Sequence, residues 1–335
     1  ALEHVRDLRD ILVDRVLANS TDQMDETFID GYARFVDPGV LQVGQEIIHA
    51  KSIVIAGGTR PLVPDEWVDF GEHIITSDTL FEIEDLPKSI AVVGLGIIGL
   101  EIGQALSHLG VTVTGVDQLE TIAGLNDPSA SQSAIELMTR TFPVWLGHQA
   151  KLASEGSQIR VSAGEHSVVV DKVLAAMGRR SNVDWLSIEN AGVDLNEAGL
   201  PVFDPNTMQC GDSRVFIAGD ITASHPVLHE ATNEGKIAGY NAARQNSMAF
   251  KRKTPFAITF TSPNICTIGA SFNSLDPGTI ESGEMRLGPV GRALIMGVNR
   301  GIIRVYADKS TGILKGATLV AARGENLAHL LAWCI

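Results

Sequence analysis

Apolar positions recur at steps of three and four from the start of the chain: Leu2, Val5, Leu8, Leu12 and Val16 fall on one helical face. This spacing predicts an opening helix packed against other structure. From residue 28 to 43 the pattern shortens. Turn signals at Asp37-Pro38-Gly39 and Val43-Gly44-Gln45 separate brief apolar stretches, which predicts antiparallel strands. Residues 52–56 read as a buried strand stopped by Gly57-Gly58, and Leu86-Pro87-Lys88 reads as a linker into a second region. There residues 90–93 form a predicted strand and a glycine turn follows. Ile98, Ile102, Ala105, Leu106 and Leu109 then keep helical spacing up to Gly110, and residues 111–116 read as the next strand. Asp127-Pro128 supplies a cap and a first-turn proline for another helix, through Ile135 and Met138. Residues 173–176 and 215–218 are short apolar strands closed by glycine. Beyond Lys251-Arg252-Lys253, alternating segments at 257–260, 293–298, 302–307 and 313–320 predict an antiparallel sheet, with a helix from Glu325 onward.

Composition narrows what such a chain does. With 335 residues and 44% hydrophobic against 20% charged positions, it is long enough for two or more domains with substantial cores. A net charge of −14 repels phosphate backbones and anionic lipid headgroups, so nucleic acid and membranes are poor partners. The apolar runs are too short to span a bilayer and the opening helix is not a signal peptide, so a soluble cytoplasmic protein is expected. Cys210, Cys266 and Cys334 are widely separated, giving neither a metal spacing nor a disulfide framework. They read as small buried hydrophobes. His225 and His229, four apart, could share a helical face as metal ligands do, but no third ligand is suggested and no metal is expected.

The motif Gly94-Leu-Gly96-Ile97-Ile98-Gly99 sits between a predicted strand and a predicted helix, the context that a dinucleotide-binding turn requires. Gly94 permits the tight turn, Gly96 lets the backbone approach a pyrophosphate, and Gly99 lets helix and strand pack closely. The phosphates would rest on the helix N-terminus, beside Ile97 and Ile98, where unpaired N–H groups and the dipole favour an anion. Asp117, at the end of the next strand and followed by Gln118, is placed to accept hydrogen bonds from the adenosine ribose hydroxyls. Its charge would repel a 2′-phosphate, and no Lys or Arg occurs from 111 to 139, so NAD is expected over NADP.

Taken in order, several segments resemble the pyridine nucleotide-disulfide oxidoreductase family, most closely its dihydrolipoamide dehydrogenase and soluble transhydrogenase branches. Ala56-Gly-Gly58-Thr-Arg-Pro61 is similar to the turn that closes the first flavin-domain segment, with Gly57 in place of a threonine. Gly94 to Gly99 followed by Glu101 is similar to the NAD fingerprint, with Ile97 where a side chain can gate nicotinamide access to the flavin or simply pack in the core. Ala176-Met-Gly178-Arg179-Arg180-Ser-Asn182 resembles the segment near the nicotinamide. Gly219-Asp220 resembles the motif whose aspartate holds the ribityl chain, and Val227-Leu228-His229 the segment whose helix faces the flavin pyrimidine ring.

The resemblance implies FAD and NAD as cofactors and a homodimeric parent. It also implies an α/β fold in which a Rossmann-like three-layer NAD domain is inserted in a partial FAD domain, followed by an α+β interface domain. The corresponding boundaries are 1–85 and 183–250 for the FAD domain, 86–182 for the NAD domain and 251–335 for the interface domain. The family's CxxxxC pair and C-terminal His-Glu pair are not in this sequence, so no catalytic residue is assigned and the chain reads as truncated at both ends. Glu101 would then lack its lysine partner, and a buried unpaired carboxylate tends to take up a proton. The implied activity is that of an FAD-dependent NADH:disulfide oxidoreductase acting on dihydrolipoamide or a related disulfide. Mercuric, glutathione or transhydrogenase chemistry, or a non-catalytic NAD-binding module, are the alternatives.

Overall fold

The computed structural model describes residues 2–224 and 226–335. Six α-helices occur among them: α1 (Leu2–Ala18), α2 (Ile97–His108), α3 (Pro128–Met138), α4 (Leu228–Ala242), α5 (Gly291–Ile295) and α6 (Gly324–Cys334). The chain divides into two compact units, one of residues 1–60 and 179–253, the other of residues 61–178 and 254–335.

The first unit contains the antiparallel meander predicted from the two turn signals. Ala33–Asp37 pairs with Val40–Val43, which pairs with Glu46–His49. Ile53–Ile55 runs parallel to Val215–Ile217, so two segments separated by some 160 residues of chain form one short buried pair. Phe35, Ile53, Ile55, Ile217 and Ile221 close the core around them, and Ile237 and Ala238 of α4 pack with Phe216. The opening helix forms as its periodicity predicts, but the expected packing is not found. Leu8, Ile11, Leu12 and Val16 stay exposed and only Leu2 is buried, so no described residue covers that face.

In the second unit five parallel strands lie in the order Ile74–Ile75, Lys172–Ala175, Ser89–Val93, Thr112–Val116, Val144–Trp145. Their near-continuous apolar runs fit a sheet covered on both faces. The antiparallel strands Lys151–Glu155, Gln158–Ala163 and His166–Val170 form a second sheet. A third is antiparallel with the order Phe256–Thr259, Asn264–Gly269, Leu314–Ala321, Ile302–Asp308, Ile280–Arg286. Ile265, Ile302 and Val320 of this third sheet share one cluster with Val92, Leu100 and Phe142 of the parallel-sheet region.

Three expectations change. Residues 61–85, placed in the flavin part by sequence, belong to the second unit: Ile74–Ile75 is an edge strand of its parallel sheet, and Trp67, Ile75 and Leu80 are buried in its core. The boundary at Pro87 is therefore a turn inside a unit. Residues 293–298 are not a strand; Gly291–Ile295 is a single helical turn and a half, with Leu294 and Ile295 exposed. The strand Ile280–Arg286 was not predicted, because it is a polar edge strand with no buried face to impose alternation.

Candidate dinucleotide-binding site

The turn after Ser89–Val93 is shaped by its glycines. Gly94 has φ +96°, and a Cβ there would lie 2.4 Å from the Ala176 carbonyl oxygen. A Cβ on Gly99 would lie 1.9 Å from the Gly94 carbonyl oxygen, so α2 can approach the turn only because both residues lack side chains. Gly96 is different: it is exposed and nothing stands within 4 Å of where its Cβ would be. That open space lies at the N-terminus of α2, where Gly96 is the cap residue and no side chain caps the first turn. The first N–H groups therefore face outward without intrahelical partners. Ile97 and Ile98 are half-buried, so neither seals the opening.

Asp117 follows Thr112–Val116 and is buried. Its Oδ2 accepts the Leu95 N–H at 2.6 Å and its Oδ1 accepts the Leu119 N–H at 2.9 Å. The sequence reading places this carboxylate to accept hydrogen bonds from the ribose hydroxyls. Its two oxygens also lace the glycine turn to the loop that follows the second strand, and a carboxylate with about four acceptor positions retains two. Gln118 beside it is exposed. A pyrophosphate cradle open at Gly96, bounded by an acid with spare acceptor capacity and by no basic side chain from 111 to 139, fits a dinucleotide.

Glu101 departs from expectation. It is half-buried rather than buried, and its Oε1 accepts the Phe260 N–H at 2.7 Å, so it has a partner within its own unit. One turn on, Gln104 Oε1 accepts the Ser262 N–H at 2.6 Å and Nε2 donates to the Ser262 carbonyl at 3.2 Å. One face of α2 is thus bound to the loop between Phe256–Thr259 and Asn264–Gly269.

The remaining predicted residues lie chiefly in the first unit. Gly178 has φ +126° and ends the segment from the second unit. Arg179 is engaged within the fold: its Nε donates to Thr59 Oγ1 and a terminal nitrogen to the Thr59 carbonyl, both at 2.8 Å. Thr59–Pro61 and Arg179–Ser181 form a two-stranded ribbon, so two of the motif segments hold each other. Arg60 reinforces it through Asp184 at 2.6 Å, which holds that carboxyl below its ordinary range.

Ala56 is exposed and Gly58, with φ +65°, has open space where a Cβ would stand. Gly219 has φ +80°, and the Asp220 carboxylate beside it is half-buried with no hydrogen bond to a described residue. Val227 caps α4 without a side-chain bond, Leu228 is 83% exposed and His229 is exposed. An unpartnered carboxylate, an open glycine turn at Gly58 and a helix N-terminus without a side-chain cap in one unit fit the riboflavin half of a flavin. His225 lies outside the described residues, and among those described no group of three His, Cys, Asp or Glu is placed to hold a metal.

Sequence reasoning missed one cluster here. Arg252 donates to Glu230 at 2.7 Å and to Glu234 at 2.9 Å, both acids buried, and Glu234 Oε2 accepts the Gly219 N–H at 2.8 Å. The run at 251–253 was read as a boundary only. Its signal was the pair of acids four apart on one helix, which needs a cation once buried.

The cysteines occupy separate places. Cys210 and Cys266 are buried, and burial pushes both thiols up to about 12, so neither is a nucleophile near neutral pH. Cys334 is exposed.

Residues 4–245 match the family profile described as pyridine nucleotide-disulphide oxidoreductase, and residues 256–335 match its dimerisation domain. The chain belongs to this family. It is 30% identical to a dihydrolipoyl dehydrogenase of Thermus scotoductus, over 89% of this chain and 67% of that protein. It is also 30% identical to a mercuric reductase of Staphylococcus aureus, over 90% of this chain and 56% of the relative. The chain thus spans between about half and two thirds of the length of these two relatives. The HOCl-induced flavoprotein disulfide reductase RclA of Escherichia coli superposes with a TM-score of 0.87 at 21% identity, over 99% of this chain and 78% of the other. LpdA of Mycobacterium tuberculosis superposes with 0.83 at 23%, over 100% and 77%. These likenesses carry the fold, α/β cofactor-binding regions followed by an antiparallel dimerisation sheet. No helix among the described residues is long and apolar enough to cross a membrane.

Proposed function

We propose that this family member is part of an NADH-linked flavoprotein that exchanges reducing equivalents with a disulfide, in the manner of a dihydrolipoamide dehydrogenase, and that it assembles as a homodimer through residues 256–335. The observation that carries the reading is the glycine turn at 94–99, open only at Gly96 and laced to Asp117. When bound, the nicotinamide and the flavin supply hydride and electron-pair transfer.

The chain's own residues bind and orient. The first N–H groups of α2 hold a pyrophosphate at Gly96. Asp117 accepts ribose hydroxyls with the positions its backbone bonds leave free, and its charge discriminates against a 2′-phosphate. Asp220, Gly58 and the start of α4 at Val227 hold the ribityl and pyrimidine portions of FAD. Holding two reactants in register supplies much of the rate in such reactions.

Titrating the purified chain with NADH and NADPH by nicotinamide fluorescence, together with its visible absorption spectrum, tests the reading. Preferential NADH binding with flavin bands supports it. NADH binding without flavin reduces it to a nucleotide-binding module, and absence of NADH binding overturns it. The three scattered cysteines keep the transhydrogenase alternative open, and activity of the full-length protein toward lipoamide, compared with transfer between NADH and NADP, separates the two.

A further inference from the structure

Away from the glycine turn, the second unit holds a cleft of about 520 Å³. It lies between the outer face of α3 and the strand ends where Arg286 pairs with Ile302. Its volume is within the range of small-molecule sites, about 300–1,000 Å³. Ser129, Ser133 and Glu136 line it at helical steps of three or four, and Arg140 follows just past the end of α3; Arg286 and Arg300 line the opposite side.

Three guanidinium groups therefore share one cleft with a single carboxylate, in a chain whose net charge is −14. The one carboxylate, Glu136, already accepts the Gln132 amide at 2.9 Å. The guanidinium groups of Arg140 and Arg300 have no hydrogen-bond or ion-pair partner among the described residues. Arg286 is paired through Nε with Glu284 at 3.0 Å, an exposed contact that leaves its terminal nitrogens to the cleft. Like charges gathered this way repel one another, and the carboxylates nearby, Glu136 and the Glu284 that pairs with Arg286, number fewer than the three guanidinium groups.

We infer that this cleft binds a small multivalent oxyanion, a metabolite with two or more phosphate or carboxylate groups. Guanidinium suits that role because its planar fork donates two parallel hydrogen bonds to either group. The cleft also touches the buried interior of the unit. Glu284, the partner of Arg286, accepts a second bond from Arg304 at 3.1 Å, and Arg304 is bound in turn to Asp127, the cap of α3. An anion that draws Arg286 toward the cleft leaves Glu284 to Arg304.

Calorimetric titration of the purified chain with pyrophosphate, and separately with citrate, at near-physiological ionic strength tests the inference. One saturable site for either anion that persists in Gly96→Asp is expected, pyrophosphate alone indicating a phosphate ligand and citrate alone a carboxylate. The double variant Arg140→Ser/Arg300→Ser should weaken it roughly 100-fold, about tenfold for each charged donor removed. Both side chains are exposed, so the variant should keep the parent's circular dichroism and melting profile. Gly96→Asp, which sets a carboxylate in the open space at the dinucleotide turn, should leave the anion affinity unchanged. The inference is overturned if neither anion saturates, if the double variant binds as tightly as the parent, or if Gly96→Asp alone abolishes binding, which would move the anion to the dinucleotide turn.

Discussion

Asp127 and Arg304, 177 residues apart in the sequence, meet through a 2.9 Å contact between Oδ2 and Nε, with side chains 0% and 14% exposed. The same Oδ2 accepts the Tyr306 hydroxyl at 2.8 Å, and Oδ1 accepts the Ala130 N–H at 3.0 Å. One carboxylate thus caps α3 and anchors the Ile302–Asp308 strand. Asp127→Ala removes the cap and leaves Arg304 without its inner partner, so a loss of about 3–5 kcal/mol is expected in urea unfolding. A change below 1 kcal/mol would show that the pair is dispensable.

Acid should act through the same group. Burial disfavours the Asp127 carboxylate, but the Ala130 N–H, Arg304 and Tyr306 together hold it below the ordinary range. A depressed value in the folded state means that the contribution is complete above the unfolded value, about pH 4, and is lost as pH falls through the folded value. The urea midpoint should therefore drop on acidification below about pH 4. The drop should be shallower in Asp127→Asn, and equal slopes for the two proteins would count against this linkage.

Gly96 and Gly99 should respond differently to one methyl group. In Gly99→Ala the Cβ would lie 1.9 Å from a backbone oxygen, so α2 must shift and the melting temperature should fall by several degrees. In Gly96→Ala the methyl enters open space. The melting temperature should hold while NADH affinity falls roughly tenfold or more, because the pyrophosphate can no longer approach the backbone. Equal melting temperatures for the two variants would refute the distinction.

Asp117 is expected to serve structure and recognition together. Asp117→Ala should weaken NADH binding and narrow the preference over NADPH, while leaving the buried Leu95 and half-exposed Leu119 N–H groups without their acceptor, at roughly 1–3 kcal/mol. Dissociation constants for both nucleotides, measured beside urea unfolding, separate the two effects. An unchanged NADH constant would remove Asp117 from the site.

Thiol labelling offers a direct check on the cysteines. With both buried thiols raised to about 12, thiolate at pH 8 is roughly one part in ten thousand. Native protein should react rapidly with a chromogenic disulfide reagent at Cys334 alone and at all three positions in denaturant. Fast labelling of two or more native thiols would contradict the burial.

The legible parts of this molecule are those where physics leaves one residue type. Gly94 and Gly99 are readable because no side chain fits their positions, and Asp127-Pro128 because a cap followed by a first-turn proline is a local signature. The second role of Asp127 was not readable, since nothing near it announces Arg304 or Tyr306. Residues 61–85 were assigned to the wrong unit because Trp67 and Leu80 sit in short helical turns too brief to show a period. Ile280–Arg286 escaped notice for the opposite reason: an edge strand facing solvent has no pattern to display. Glu101 was expected to be orphaned because its family partner was sought in sequence, whereas a backbone N–H at Phe260 has no residue type to search for.

The shared cluster of Ile265, Ile302 and Val320 with Val92, Leu100 and Phe142 couples the two parts of the second unit thermodynamically. The parallel-sheet region and the antiparallel sheet each keep a further cluster of their own, but this shared one is exposed if either swings away from the other. Separating the two costs that shared burial, so a ligand that stabilised either part would protect the contact between them as well.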